Sequence, residues 1–116
     1  MEHLVVGAGE MGRWVAGVVG GDPAFADTDP DAAAAAASAL GGRVDDGGAA
    51  DLVTVAVPLP AAVPVIEEYA PRAREAVADV TGTMVDPVAA MERVAPDRER
   101  LSMHPLFAPE NAPGNV

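Results

Sequence analysis

The chain has 116 residues, no cysteine and a formal net charge of −11, with eighteen acidic residues against seven basic ones. That length fits one domain with one core, and the charge excludes nucleic acid and anionic membrane surfaces, which both demand phosphate neutralisation. The absence of cysteine excludes disulfides and thiolate chemistry; with no run near about eighteen apolar residues and no basic-then-apolar leader, the sequence reads as a cytoplasmic protein without membrane span or signal peptide.

Half of the residues are hydrophobic but only 3% are aromatic, so the core must be built from valine, alanine and leucine. Every basic residue is arginine. The acidic surplus fits a halophilic, salt-rich cytoplasm, where a screening length of about 3 Å at 1 M makes self-repulsion tolerable; an ordinary acidic cytosolic protein is the alternative.

A short apolar run, Leu4 to Val6, feeds directly into Gly7-Ala8-Gly9-Glu10-Met11-Gly12, and a helical pattern follows. Strand, glycine turn and helix in that order are the context a G-x-G-x-x-G needs to read as a dinucleotide site. Gly7 permits the tight turn, Gly9 lets backbone approach a pyrophosphate, and Gly12 lets the helix pack on the strand. The free N–H groups and positive dipole end of the new helix then face the phosphates. In so glycine-rich a chain a plain turn is the alternative.

The first helix is predicted over Glu10 to Val19, with an apolar stripe of Trp14, Val15 and Val18 and a stop at Gly20-Gly21. Ala24-Phe25-Ala26 reads as a second strand ending at Asp27. Asp29 as N-cap, Pro30 at the first helical position and Asp31 in the first turn open a helix through the alanine run Ala32 to Ala37, which Gly41-Gly42 ends. Arg43-Val44 is a brief third strand, followed by a polar, glycine-rich loop from Asp45 to Ala50. Leu52 to Val57 is almost continuously apolar, as a central parallel strand buried on both faces should be. Pro58-Leu59-Pro60 ends it, and a helix from Ala61 to Tyr69 follows, its Pro64 tolerated only in the first turn. Ala76 to Val80 reads as a fifth strand, and Asp86-Pro87 caps a helix carrying Val88, Met91 and Val94. Leu101 to Met103 forms a sixth strand leading into His104, and the tail from Ala108 is loop. Strands and helices alternating at this rhythm imply an α/β fold: a doubly wound parallel sheet of about six strands with helices on both faces.

In such a sheet ligands sit beyond the carboxyl ends of the strands, which here supply Gly7 to Gly12, Asp27, Val57-Pro58, Thr81 to Thr83 and His104. Asp27 stands twenty positions after Gly7, where a carboxylate accepts the adenosine ribose hydroxyls. It would repel a 2′-phosphate: two unit charges about 4 Å apart cost roughly 4 kcal/mol at an effective dielectric near 20. A third of that gives about tenfold discrimination, so NAD is preferred and NADP is disfavoured. Asp27, Asp29 and Asp31 also have an alternative reading as cap or surface residues. His104, at a strand end, is of the residue type whose reference pKa of about 6.5 suits proton transfer at neutral pH; a structural histidine is the other reading. His3 opens the first strand and reads as structural. No metal site is expected, because no second histidine or cysteine stands at ligand spacing.

Taken together, these segments resemble the N-terminal, Rossmann-like NAD(P)-binding domain of the prephenate dehydrogenase family. Asp79-Val80-Thr81-Gly82-Thr83-Met84 is similar to that family's Asp-x-x-Ser-x-Lys segment, and His104-Pro105-Leu106-Phe107-Ala108-Pro109 to its His-Pro-Met-Phe-Gly-Pro. The glycine motif, Asp27 and Val57-Pro58 also fit, but many related dehydrogenases share them. The resemblance implies oxidative decarboxylation of prephenate to 4-hydroxyphenylpyruvate in tyrosine biosynthesis, with His104 accepting the ring-hydroxyl proton. The family's serine falls on Gly82, so hydroxyl assistance would come from Thr81 or Thr83; its lysine falls on Met84, and Ala108 replaces a glycine. The resemblance further implies a helical C-terminal domain that forms a homodimer and supplies an arginine for the substrate carboxylates. That domain is absent from these 116 residues, so the chain is expected to bind NAD as a single domain without turning over prephenate by itself. Two alternatives stay open. One is a related β-hydroxyacid- or imine-type dehydrogenase, although its usual catalytic lysine has no counterpart here. The other is a non-catalytic NAD-sensing module.

Overall fold

The computed structural model describes residues 1–57, 59–80 and 99–102. Six strands, β1 (Glu2–Val6), β2 (Asp22–Ala26), β3 (Arg43–Val44), β4 (Ala50–Val55), β5 (Ala73–Asp79) and β6 (Glu99–Ser102), form one sheet in the order β3-β2-β1-β4-β5-β6. Every neighbouring pair is parallel. The chain therefore winds outward from β1 to β3, jumps back across the sheet, and winds outward again from β4. The reversal falls beside β1, directly under the glycine turn.

Side-chain alternation along β1 and β2 divides the core in two, as the period of two requires. Val5 and Phe25 pack on one face with Ala16 of α1 (Glu10–Val19) and with Ala33, Ala36 and Ala37 of α2 (Pro30–Leu40). Leu4, Val6, Ala24 and Ala26 point to the other face, toward Ile66 of α3 (Leu59–Tyr69) and on to Val53, Val55 and Val77. The alanine run of α2 is thus amphipathic by position: three of its methyls are buried, and their small size lets the helix settle close over Phe25. Its start is built as the sequence predicts, with the Asp29 carboxylate accepting the N–H groups of Asp31 and Ala32 at 3.0 and 3.4 Å. Gly41 ends it in the left-handed region at φ 68°.

Three local expectations change. In α1 the buried face is Gly12, Val15 and Ala16, whereas Val18 is 57% exposed. Close approach at Gly12 sets the helix rotation, and that turns Val18 outward. Secondly, α3 begins at Leu59, so Pro64 lies inside the helix and beyond its first turn. Its ring is on the exposed side, and the fully buried Ala62, Ile66 and Ala70 on the other side offset the missing backbone bond. Thirdly, β4 ends at Val55 and β5 starts at Ala73, each displaced toward the N-terminus from the pattern-based bounds. The predicted helix from Asp86 lies outside the described residues.

The crossover from β3 to β4 is a short loop, and Arg72 fastens it. The guanidinium bonds both carboxylate oxygens of Asp45 and, through Nε at 2.9 Å, the carbonyl of Gly48. Arg72 follows α3 in a 3₁₀ turn (Ala70–Arg72) and lies 5.4 Å from the ring centre of Tyr69. Burial by itself raises the Asp45 carboxyl, but the hydrogen bonds from Arg72 and the Gly47 N–H outweigh it and hold the group below its usual range. No helix among the described residues is long and apolar enough to cross a membrane.

Candidate functional site

The glycine turn leaves β1 at Val6. Gly7 adopts φ +107°, and a Cβ there would meet the backbone carbonyl of Ala56, leaving the carbonyl carbon 2.8 Å away. Only glycine fits both the dihedral and the space. The Gly7 N–H reaches the Ala26 carbonyl at 2.7 Å, and the Ala56 N–H reaches the Val6 carbonyl at 2.8 Å, so the ends of β2, β1 and β4 are stitched together around the turn. Gly12 serves the packing: a Cβ on it would run into the carbonyl of Gly7 and lie 3.2 Å from Val5 Cγ1. Gly9 differs from both. It is the N-cap of α1, has φ −81°, and has nothing within 4 Å of its absent Cβ. Space is left open there, at the start of α1, where the first-turn amides of Glu10, Met11 and Gly12 have no intrahelical acceptors.

Asp27 is drawn into this turn. Its Oδ2 accepts the Ala8 N–H at 2.8 Å and its Oδ1 accepts the Asp29 N–H at 2.8 Å. Each oxygen keeps a further lone pair, so the carboxylate is held in orientation yet able to accept two hydroxyl donors. Its surface reading and its binding reading are therefore compatible, because capping the turn is what orients the group.

A cleft of about 500 Å³ opens from this turn. Val6, Ala26 and Val57 give it apolar walls, while Asp27 and Thr28 stand on the β2 side. The opposite wall is a single stripe of α3, Ala61, Val65, Glu68 and Tyr69, at the spacing of one helix face. Burial, with the Glu68 charge and hydrogen bond added, raises the Tyr69 hydroxyl above its usual range. A mainly apolar slot of this size with a few convergent polar groups fits a flat aromatic base attached to a ribose.

Of the residues singled out from the sequence, Gly7, Gly9, Asp27 and Val57 line the cleft; Ala8 is tied to Asp27 through its N–H, and Glu10, Met11 and Gly12 form the first turn of α1 without lining it. Pro58, Thr81, Thr83 and His104 lie outside the described residues. The strands that precede two of those segments do run to the same edge. Asp79, the last residue of β5, is fully buried and in register with Val55 of β4 and Ser102 of β6. Sequence reasoning missed Thr28 and the α3 stripe; the i, i+4, i+7, i+8 spacing of Ala61, Val65, Glu68 and Tyr69 was a usable signal once α3 was known to flank the turn.

His3 takes no part in the cleft. It is fully buried, its Nε2 2.7 Å from Thr54 Oγ1, and burial pushes its pKa down to about 4. Its structural reading holds.

The sequence model for the prephenate dehydrogenase nucleotide-binding domain matches residues 15–114. The chain belongs to that family. The match begins just beyond the glycine turn, so the turn's assignment stands on the geometry above. No significant match is found among curated proteins. Among solved structures, the prephenate dehydrogenase of Aquifex aeolicus, in complex with hydroxyphenyl propionate and NAD+, superposes with TM-score 0.75 at 18% identity over 91% of this chain and 42% of that one. The 3-hydroxyacyl-CoA dehydrogenase of Archaeoglobus fulgidus gives TM-score 0.67 at 23% identity, over 90% and 42% of the two chains. An imine reductase of Streptomyces aurantiacus gives 0.71 at 20%, over 96% and 43%. At such identities the likeness is one of fold. The chain spans about two-fifths of the length of these relatives. Within the prephenate dehydrogenase family, then, it corresponds to the nucleotide-binding portion, and its Rossmann-like sheet is the one the strand order describes.

Proposed function

We propose that the chain is the NAD-binding portion of a cytoplasmic prephenate dehydrogenase. The observation that carries the cofactor reading is Asp27, fixed by two backbone N–H groups at the mouth of the cleft. Gly7 and Gly12 leave no room for side chains while Gly9 leaves space open, and this combination fits a pyrophosphate over the turn and an adenosine in the cleft. The carboxylate accepts two ribose hydroxyls where a 2′-phosphate would meet its charge, so NAD is favoured over NADP.

When bound, the nicotinamide supplies the hydride acceptor. His104 takes the proton of the substrate's ring hydroxyl as the carbon bearing it loses hydride; loss of carbon dioxide then aromatises the ring and yields 4-hydroxyphenylpyruvate. Thr81 or Thr83 supplies the hydroxyl that the family places at Gly82. On this reading, substrate carboxylate binding and dimer formation fall to the helical domain that the family resemblance implies.

Titration calorimetry tests the cofactor reading. NAD should bind more tightly than NADP by about tenfold, and Asp27→Asn should narrow that ratio toward one. Equal affinities in the parent chain would sink the assignment of Asp27. For catalysis, the isolated chain should form no NADH with prephenate, and measurable turnover would refute the division of labour proposed here. In a full-length version His104→Asn should abolish turnover while leaving NAD affinity intact; unchanged activity would favour a different dehydrogenase chemistry or a binding-only module.

A further inference from the structure

We infer that Arg13 is the cofactor's phosphate anchor, a role that rests on the dinucleotide reading and that the glycine fingerprint does not include. Arg13 sits on the first full turn of α1, half-buried, and its side chain folds back over the glycine turn to place Nε 3.3 Å from the Ala8 carbonyl. The backbone of Ala8 is therefore held on both sides, its N–H by Asp27 and its C=O by Arg13. That contact uses one of the five N–H donors of the guanidinium and keeps the terminal nitrogens beside the turn.

The charge inventory shows why this cation stands apart. Among the four arginines whose side chains are described, Arg43 is paired with Glu2, Arg72 with Asp45, and Arg74 with Glu2 and Asp51. Arg13 alone has no carboxylate partner within 4.0 Å among the described residues. In a chain with eighteen acidic residues and seven arginines, an arginine that has no carboxylate partner among the described residues and sits beside an anion cradle is available for an anion. The turn itself carries the carboxylates Glu10 and Asp27, so a phosphate arriving there meets two like charges. The amides of α1 offset them in part, and a guanidinium, whose planar fork matches phosphate oxygens, supplies the one full positive charge at this turn among the described residues.

The phosphate can be the bridging pyrophosphate shared by NAD and NADP, or the 2′-phosphate of NADP alone. In the second case Arg13 counters the Asp27 repulsion and softens the preference for NAD.

The test is calorimetric titration of the 116-residue chain and of Arg13→Gln and Arg13→Lys with NAD, NADP and adenosine, with melting temperatures taken alongside. Loss of one charge-assisted contact should weaken NAD and NADP about tenfold in Arg13→Gln, leave adenosine within about twofold, and be partly restored in Arg13→Lys. An equal loss for NAD and NADP places the guanidinium on the pyrophosphate; a larger loss for NADP places it on the 2′-phosphate. Unchanged dinucleotide affinity overturns the inference. An equal fall for adenosine with a lowered melting temperature also overturns it, because Arg13 is then only a brace for the Ala8 carbonyl. Failure of the parent chain to bind any of the three probes would instead overturn the dinucleotide reading itself, and this inference with it.

Discussion

Replacing Gly12 by alanine separates packing from ligand approach, because Gly9 offers the opposite case in the same motif. A Cβ at Gly12 runs into the Gly7 carbonyl oxygen, with the carbonyl carbon only 2.9 Å away. Gly7 cannot retreat: its own N–H is tied to Ala26, and its Cα faces the backbone of Ala56. Overpacking against pinned backbone costs about 3 kcal/mol, and the better helix propensity of alanine returns about 1. The net loss of about 2 kcal/mol corresponds to a fall in melting temperature of about 8 °C for a domain of this size. Gly9→Ala meets nothing within 4 Å at an ordinary φ, so a weaker N-cap and a stiffer unfolded chain roughly cancel and stability stays within about 0.5 kcal/mol. Its methyl, however, occupies the space that the proposed dinucleotide reading gives to the pyrophosphate, and NAD affinity should drop at least about tenfold. Gly17→Ala, in the middle of α1 with open space around it, is the internal control and should raise stability by about 0.5–1 kcal/mol. Thermal melts followed by circular dichroism, with calorimetric NAD titrations, measure all three. If Gly12→Ala melts with the parent, or Gly9→Ala binds NAD as the parent does, the packing and approach roles are wrongly assigned.

Three more outcomes follow from the described contacts. Burial keeps His3 neutral, with a pKa near 4 against 6.5 in the unfolded chain. The unfolded state therefore takes up a proton first, and stability should fall by about 1.4 kcal/mol per pH unit below 6.5, reaching about 3 kcal/mol near pH 4. Denaturant melts of His3→Gln should show a flatter profile over that window, and an identical slope would show that another group titrates there. For the crossover clamp, Asp45→Asn should cost about 1–2 kcal/mol at neutral pH. The Asp45 carboxyl is depressed in the fold, so its contribution is present above 3.8 and lost as pH falls through the lowered value; the gap between parent and variant should close there. Finally, the net charge of −11 should make the melting temperature climb by several degrees between low and molar KCl. No gain would remove the halophilic reading.

Much of this protein was decided locally. Asp29-Pro30 and Gly41 set both ends of α2 because caps and left-handed stops act over four residues, and Glu10 to Val19 was bounded correctly for the same reason. The glycine turn, Asp27 and the alternation of strands and helices likewise announced a dinucleotide fold from spacing alone. Local pattern did not decide which way a helix faces: Val18 looked apolar enough to bury, but the contact of Gly12 with Gly7 turns it to solvent. Nor could it foresee that α3 runs through Pro64, since the buried Ala62, Ile66 and Ala70 that offset the lost bond come together only against the sheet. The cleft is the clearest case. Its far wall comes from α3, about fifty residues after the glycine turn, and only the return of the chain beside β1 brings the two together. Arg13 belongs to that same class. Its position in the sequence was plain, but that its guanidinium lies on the Ala8 carbonyl while Arg43, Arg72 and Arg74 are all paired is a fact of tertiary packing, because charge partners are chosen in space and not along the chain.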